Sequence, residues 1–277
     1  MKIRKAAVSG KFYSSDKKQI AEQLKSITEK ENINTQFAKY RIIGGVVPHA
    51  GYMFSAYQAV HFFEILRLSK QKFDTVVIVN PNHTGYGKAI AVDDSDFWET
   101  PSGNIEVDTE FCQNLELSFS HEAHKYEHSG EVMLPMLNHF LDYDYKIVPI
   151  TLSQQNYENA KFLAQKIFET AKKLSRKILF IASSDFSHYV NPEKGKTDDM
   201  KVIEQILQLN AKKVVSIVEK NKFSICGYAP VACLIEYSKM VSANSQAELL
   251  RFGHSGEVIP SNEVVDYASV LFYDKNL

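Results

Sequence analysis

Short apolar runs alternate along the chain with longer amphipathic segments. Residues 42–47 (IIGGVV), 75–79 (TVVIV), 145–151 (YKIVPIT) and 177–182 (KILFIA) are continuous and rich in β-branched side chains. Runs of this length without polar alternation predict strands covered on both faces. Between them, apolar residues recur at helical spacing near 17–31, 55–68, 132–141, 157–174 and 200–218. Strands alternating with helices of this length predict a layered α/β fold. The late run 264–273 (VVDYASVLFY) is long, aromatic and β-branched, and reads as a further strand of the same sheet, with an antiparallel pairing open to it.

No repeat, low-complexity tract or Pro/Gly/Ser linker divides the sequence, so residues 1–277 read as one domain. The most polar stretch, 191–199 (NPEKGKTDD), reads as a loop of ordinary size.

Residues with chemical potential collect just past the strand ends. Pro48-His49-Ala50-Gly51-Tyr52 follows the first run, Asn80-Pro81-Asn82-His83 the second, and Ser183-Ser184-Asp185-Phe186-Ser187-His188 the fourth. Ligands of open α/β sheets bind beyond the carboxyl ends of strands. Three strands can therefore deliver polar groups to one rim.

Each of these residues has two readings. His49 and His83 are either metal ligands, since imidazole suits Zn, Cu, Fe and Ni, or unrelated loop histidines bonded to nearby backbone. Their matching positions at strand exits favour the first. Asp185 and His188 form either a general acid/base pair or a carboxylate orienting a ligand histidine. Alternatively, Asp185 caps a turn beside Ser184 and Ser187. Cys226, before Gly227, is a small buried hydrophobe by the habit of free cysteines, or a thiol facing a cavity. Cys112 and Cys233 read as core positions on helix faces. His121, His124 and His128 would form a local metal clamp if helical, but the apolar spacing at Val132, Leu134, Leu137 and Phe140 starts a helix near Ser129 and leaves them in the preceding loop. Trp98, the only tryptophan, leads a turn (WETPSG) that it anchors or through which it lines a pocket.

Composition narrows the classes. At 277 residues, 44% hydrophobic and 23% charged, the chain supports a sizeable core. The net charge of −1 gives no field toward nucleic acid or an acidic membrane, so neither is an expected partner. No stretch approaches the roughly 18 apolar residues of a membrane span. The opening MKIRKAAVSGKFYSSD lacks the apolar region of a signal peptide. Three cysteines without C-x-x-C spacing then read as reduced thiols of a cytoplasmic protein. No phosphate loop, nucleophile elbow or dinucleotide fingerprint is present.

Taken in order, AVSGKFY (7–13), VPHAGY (47–52), Pro81-Asn82-His83, Trp98-Glu99-Thr100-Pro101, Glu127-His128-Ser129, SSDFSHY (183–189), Cys226-Gly227 and Tyr267-Ala268-Ser269 resemble the Memo family over essentially the whole chain. That family accompanies AMMECR1-like and radical-SAM proteins in microbes. The resemblance implies a single-domain, three-layer α/β/α fold similar to the LigB-like class III extradiol dioxygenases. Those enzymes hold non-heme Fe(II) with two histidines and a glutamate, and use a further histidine as acid/base. Memo members carry cysteine in place of the glutamate. Carried onto this chain, His49, His83 and Cys226 fall at the metal-ligand positions, with Asp185 beside them and His188 at the acid/base position. Cys226 thereby moves from core to ligand, and the cluster at His121 and His124 loses support. A thiolate favours Cu(I), Zn or iron of altered potential and is itself oxidisable, so ring cleavage does not carry over. Gly130, in EHSGEVMLP, stands where the family has a bulkier residue, a departure expected to touch the helix start rather than the site.

Three functions follow as expectations. One is a metal-dependent oxidoreductase, dioxygenase-like, using iron or copper. Another is a module without turnover, holding a metal such as Zn, a small-molecule or peptide ligand, or an AMMECR1-like or radical-SAM partner. The third is a pocket whose residues only bond to one another.

Overall fold

The structure, a computed structural model, describes residues 1–276. Its strands are β1 (Ile3–Arg4), β2 (Arg41–Val47), β3 (Thr75–Pro81), β4 (Ile90–Val92), β5 (Phe97–Thr100), β6 (Gly103–Glu106), β7 (Ser118–Phe119), β8 (Lys146–Leu152), β9 (Ile178–Ser183), β10 (His188–Val190), β11 (Ser245–His254) and β12 (Val264–Asp274). Its helices are α1 (Lys17–Lys30), α2 (Tyr52–Ser69), α3 (Thr109–Asn114), α4 (His121–Lys125), α5 (Met133–Phe140), α6 (Tyr157–Lys173), α7 (Pro192–Leu207), α8 (Ala211–Asn221) and α9 (Tyr228–Val241).

The four continuous apolar runs become the parallel centre of a nine-stranded sheet, in the order β2-β9-β3-β8. They are buried along almost their whole length, which is why they show no polar alternation. The tail strand β12 pairs antiparallel with β2 on one side, and β11 pairs with β12. On the other side β4 pairs antiparallel with β8 and parallel with β7. The helices α1, α2 and α5 pack together over one face, and α9 lies on the other with α6 and α8 against it. This is the three-layer α/β/α, LigB-like arrangement that the motifs imply. Gly45 of β2 makes the close seat of α2 possible, because a Cβ there would overlap the Phe62 ring. Among the described residues no helix is long and apolar enough to cross a membrane.

Three local readings of the sequence need correction. The polar stretch 191–199 is the start of α7, not a loop: the Asn191 side chain accepts from the Glu193 and Lys194 amides at 3.1 and 3.3 Å, and Pro192 occupies the first turn. The segment 200–218 is two helices. Leu209 takes a left-handed φ of 54°, and Asn210 caps α8 three residues beyond the end of α7, a break too short to disturb the apolar spacing. Finally, His121 and His124 belong to the short helix α4, capped by Ser120, while α5 begins only at Met133 after a turn that contains His128. The ten-residue strand β11 gave no clear signal, since most of its positions are only half-buried.

The opening motif acts as a clamp. Glu131, fully buried, accepts from the Ala7 and Val8 amides at 2.7 and 3.0 Å, from the Tyr13 hydroxyl at 2.6 Å and from the Arg4 guanidinium. Arg4 also donates to the carbonyls of His124 and Glu127 and stacks 4.2 Å over Trp98. Trp98 in turn donates to Asp93 at 2.6 Å, so it anchors its hairpin rather than lining a site. Together these contacts fix the turn that carries Glu127 and His128.

Candidate metal centre

The strand exits converge as their positions predict. His49 leaves β2 with its backbone N–H donating to the Asp185 carboxylate at 2.7 Å, tying the first exit to the one after β9. Its ring Nδ1 lies 2.7 Å from the Ser183 hydroxyl oxygen, and that hydroxyl donates its own proton to the Ser129 carbonyl at 2.8 Å. The serine oxygen can then only accept from the imidazole, which assigns the proton of His49 to Nδ1 and leaves a lone pair on Nε2. Nε2 faces the Cys226 sulfur at 3.3 Å.

His83 is oriented by the same logic with a carboxylate. Glu127 accepts from His83 Nδ1 at 2.9 Å and from its backbone N–H at 2.6 Å, and also from the Ser129 amide and hydroxyl at 3.0 and 2.6 Å. Burial pushes the Glu127 pKa up, but the His83 hydrogen bond and charge, with the Ser129 donors, outweigh it and hold the group at about 2. For His83, burial lowers the pKa and the Glu127 bond and charge more than offset it, so the balance is a rise. With Nδ1 bound to Glu127, Nε2 is the atom left for a ligand.

Cys226 closes the triangle from the residue before Gly227, the cap position of α9. One ligand atom each from His49, His83 and Cys226 lies within 4.8 Å of the others. The Asp185 amide donates to the Cys226 sulfur at 3.3 Å. Burial first, then the Asp185 charge, pushes the thiol pKa well up, a balance that a bound cation inverts. Burial likewise pushes His49 well below its usual range, with the His128, His83 and His188 charges adding, so its ring is neutral, the form that binds metals. Two imidazoles presenting Nε2, with one sulfur, therefore fit a thiophilic transition metal.

Asp185 does not cap its own turn: its carboxylate accepts from the His49 and Ala50 amides at the β2 exit, which sets it beside the cluster. Burial raises its pKa to about 6 against the His49 and Ala50 amides, which lower it along with the His188 charge. His188, half-exposed in β10, has Nδ1 donating to the Ser224 carbonyl at 2.7 Å, so its Nε2 is free as an acceptor.

His128 was not among the expected site residues, yet its ring stands 4.7 Å from that of His83 and 5.4 Å from that of His49. Burial lowers its pKa to about 4 despite the Glu127 charge. The motif Glu127-His128-Ser129 held the signal, but its local spacing suggested a clamp with His121 and His124 that does not assemble. His124 Nε2 donates instead to the Ala91 carbonyl at 3.0 Å, and His121 turns to Asp93 at 3.4 Å. Cys112 and Cys233 are buried on helices as expected.

Comparison with known proteins extends the picture. The family model described as Memo-like protein matches residues 4–271. A MEMO1 family protein of Methanosarcina barkeri is 38% identical over 273 residues, which cover 97% of this chain and 99% of that protein. One of Archaeoglobus fulgidus is 37% identical over 273 residues, with 98% and 99% covered. One of Saccharolobus islandicus is 35% identical over 290 residues, with 97% and 99% covered. Among solved structures, the uncharacterized protein JW3007 from Escherichia coli K12 shares the fold at a TM-score of 0.52 and 13% identity, over 83% of this chain and 99% of that one.

Proposed function

Because the chain belongs to the Memo family, we propose that its strand-exit cluster holds a transition metal on His49 Nε2, His83 Nε2 and Cys226 Sγ, and that the site carries redox chemistry. The observation that bears most weight is the pair of tautomer locks. Ser183, committed to the Ser129 carbonyl, fixes His49, and Glu127 fixes His83, so both free nitrogens are aimed before any ion arrives. Loop histidines bonded only to one another would need no such support.

When bound, iron or copper would supply one-electron chemistry with coordination positions left open. The protein's own groups would then hold and move protons. His188 Nε2, free because Nδ1 is bonded to Ser224, is the acceptor at the half-exposed edge of the site. Asp185 holds the His49 turn through the backbone N–H and stays near the ring, 3.9 Å from Nε2. His128 stands beside both ligand histidine rings, with its Nδ1 3.5 Å from the Glu127 carboxylate.

A second reading is favoured by the sulfur itself. A thiolate binds Zn or Cu(I) tightly and is oxidisable, which suits a module that holds a metal or a ligand without turnover, alone or with an AMMECR1-like or radical-SAM partner. One experiment separates the readings. The untagged protein is purified without oxygen, loaded with Fe(II), Cu(I) or Zn(II), and its metal content measured beside a His49→Ala, Cys226→Ala double variant. Near-stoichiometric metal in the wild type alone supports the site, and oxygen uptake by the iron or copper form then supports redox turnover. Metal without oxygen uptake across phenols and thiols favours the binding module; equal or absent metal in both proteins removes the metal reading.

A further inference from the structure

The opposite end of the sheet carries a second cleft. It lies where β2 and β9 begin and where α6 and α9 end, so one strand length, about 20 Å, separates it from the metal cluster. Its volume is about 630 Å³, within the range of small-molecule sites.

The lining is divided by chemistry. Ile43, Phe73, Phe168, Ile178 and Val241 form an apolar wall, while Arg41, Lys72, Lys172 and Lys177 stand exposed around it. None of these four cations makes an ion pair among the described residues, whereas the neighbouring Arg176 is taken by Asp108 and Glu110. Among the described residues no acidic side chain lines the cleft. Asp274 stands opposite Arg41 on β12 without forming an ion pair, so the four cations around one apolar cleft still leave a local positive field that an anion would satisfy.

Tyr237 supplies an independent observation. It lines the same cleft and is only 4% exposed, and its hydroxyl, bonded to no other described side chain, opens into the cleft rather than being sealed in the core. The buried tyrosines Tyr13 and Tyr52 each bond through theirs, to Glu131 and to the Val132 carbonyl. The Tyr237 hydroxyl is thus a donor left free for whatever fills the cleft. Arg41 lines the same cleft, so a donor and a cation border one space.

We propose that this cleft binds an organic anion with an apolar body, its carboxylate or phosphate head held by Arg41 and the Tyr237 hydroxyl and its body laid along Phe73, Phe168 and Ile178. The lysines at the rim strengthen the attraction without fixing geometry, while the arginine can grip a two-oxygen head in a fork.

The test is calorimetric titration of the full chain with decanoate, decyl phosphate and decyltrimethylammonium, each below its micelle-forming concentration. The three probes share one apolar body and differ in the head. Binding of decanoate or decyl phosphate, with decyltrimethylammonium silent, is the expected result, and the tighter of the two anions identifies the head group. Tyr237→Phe and Arg41→Gln should each weaken that binding about tenfold, while melting temperature and metal uptake stay at wild-type values. Equal binding of all three probes, no binding of either anion, or unchanged affinity in both variants overturns the proposal.

Discussion

His49 Nε2 and Cys226 Sγ stand 3.3 Å apart although 177 positions separate the two residues. Two strand exits and one helix start produce that meeting. β2 delivers the histidine, β9 delivers the Ser183 and Asp185 groups that hold it, and the residue just before the Gly227 cap of α9 is the cysteine.

Gly227 makes the third approach possible, since a Cβ there would overlap the Ser183 carbonyl oxygen and the Ser184 side chain. Gly227→Ala should therefore push the start of α9 off the β9 exit, at a cost of about 1–3 kcal/mol in denaturant unfolding, and should weaken metal uptake with it. Wild-type stability in this variant would show that the close approach is not needed.

The tautomer locks make a prediction about residues that touch no metal. Ser183→Ala and Glu127→Gln should each lower metal affinity about 10–100-fold, measured by competition with a chelator, while all three ligand residues remain. Unchanged affinity in both would mean that the histidine rings need no outer support.

How much of this was legible in the chain follows from the range of the contacts. The central strands were readable because burial on both faces removes polar residues from them, and the rim because PHAGY, NPNH and SSDFSH directly follow those strands. His128 was not, because its place depends on Arg4 and Glu131 closing the 124–131 turn against the N-terminal segment, a contact over more than a hundred positions. The α7 helix was hidden by composition: NPEKGKTDD is polar enough for a loop, and only the Asn-Pro pair at its start carried the capping signal. The proposed ligand role of Cys226 came from motif resemblance alone, since a lone cysteine before a glycine has no local signature.

Arg4 and Glu131 form an ion pair with both side chains fully buried. Arg4→Met should cost about 3–5 kcal/mol, because it strands the Glu131 carboxylate without its cation. The Arg4→Met, Glu131→Gln double variant should recover part of that loss in urea melts. A double variant as unstable as the sum of the singles would contradict the pairing.

Asp266 and Asp199 give the fold a pH dependence of their own. Asp199 accepts from the Ser187 hydroxyl and amide at 2.6 and 3.1 Å, and it faces Asp266. Burial, then the hydrogen bond and charge of Asp199, raises Asp266 to about 8. An unfolded chain releases that proton near pH 4, so between about pH 4 and 8 only the unfolded state is ionised at this position. The contribution to stability is full below pH 4 and is lost as pH rises toward 8. Asp266→Asn, which cannot ionise, should flatten this slope and melt above the wild type at pH 8. Parallel melting curves for the two proteins from pH 5 to 8 would rule the shared proton out.

The most direct test of the centre is X-ray absorption at the metal edge of the zinc-loaded protein. The account predicts one sulfur at about 2.3 Å and nitrogen at about 2.0–2.1 Å, with the sulfur shell lost in Cys226→Ser and nitrogen retained. A shell of light atoms alone in the wild type, or a sulfur shell that survives in Cys226→Ser, would contradict it.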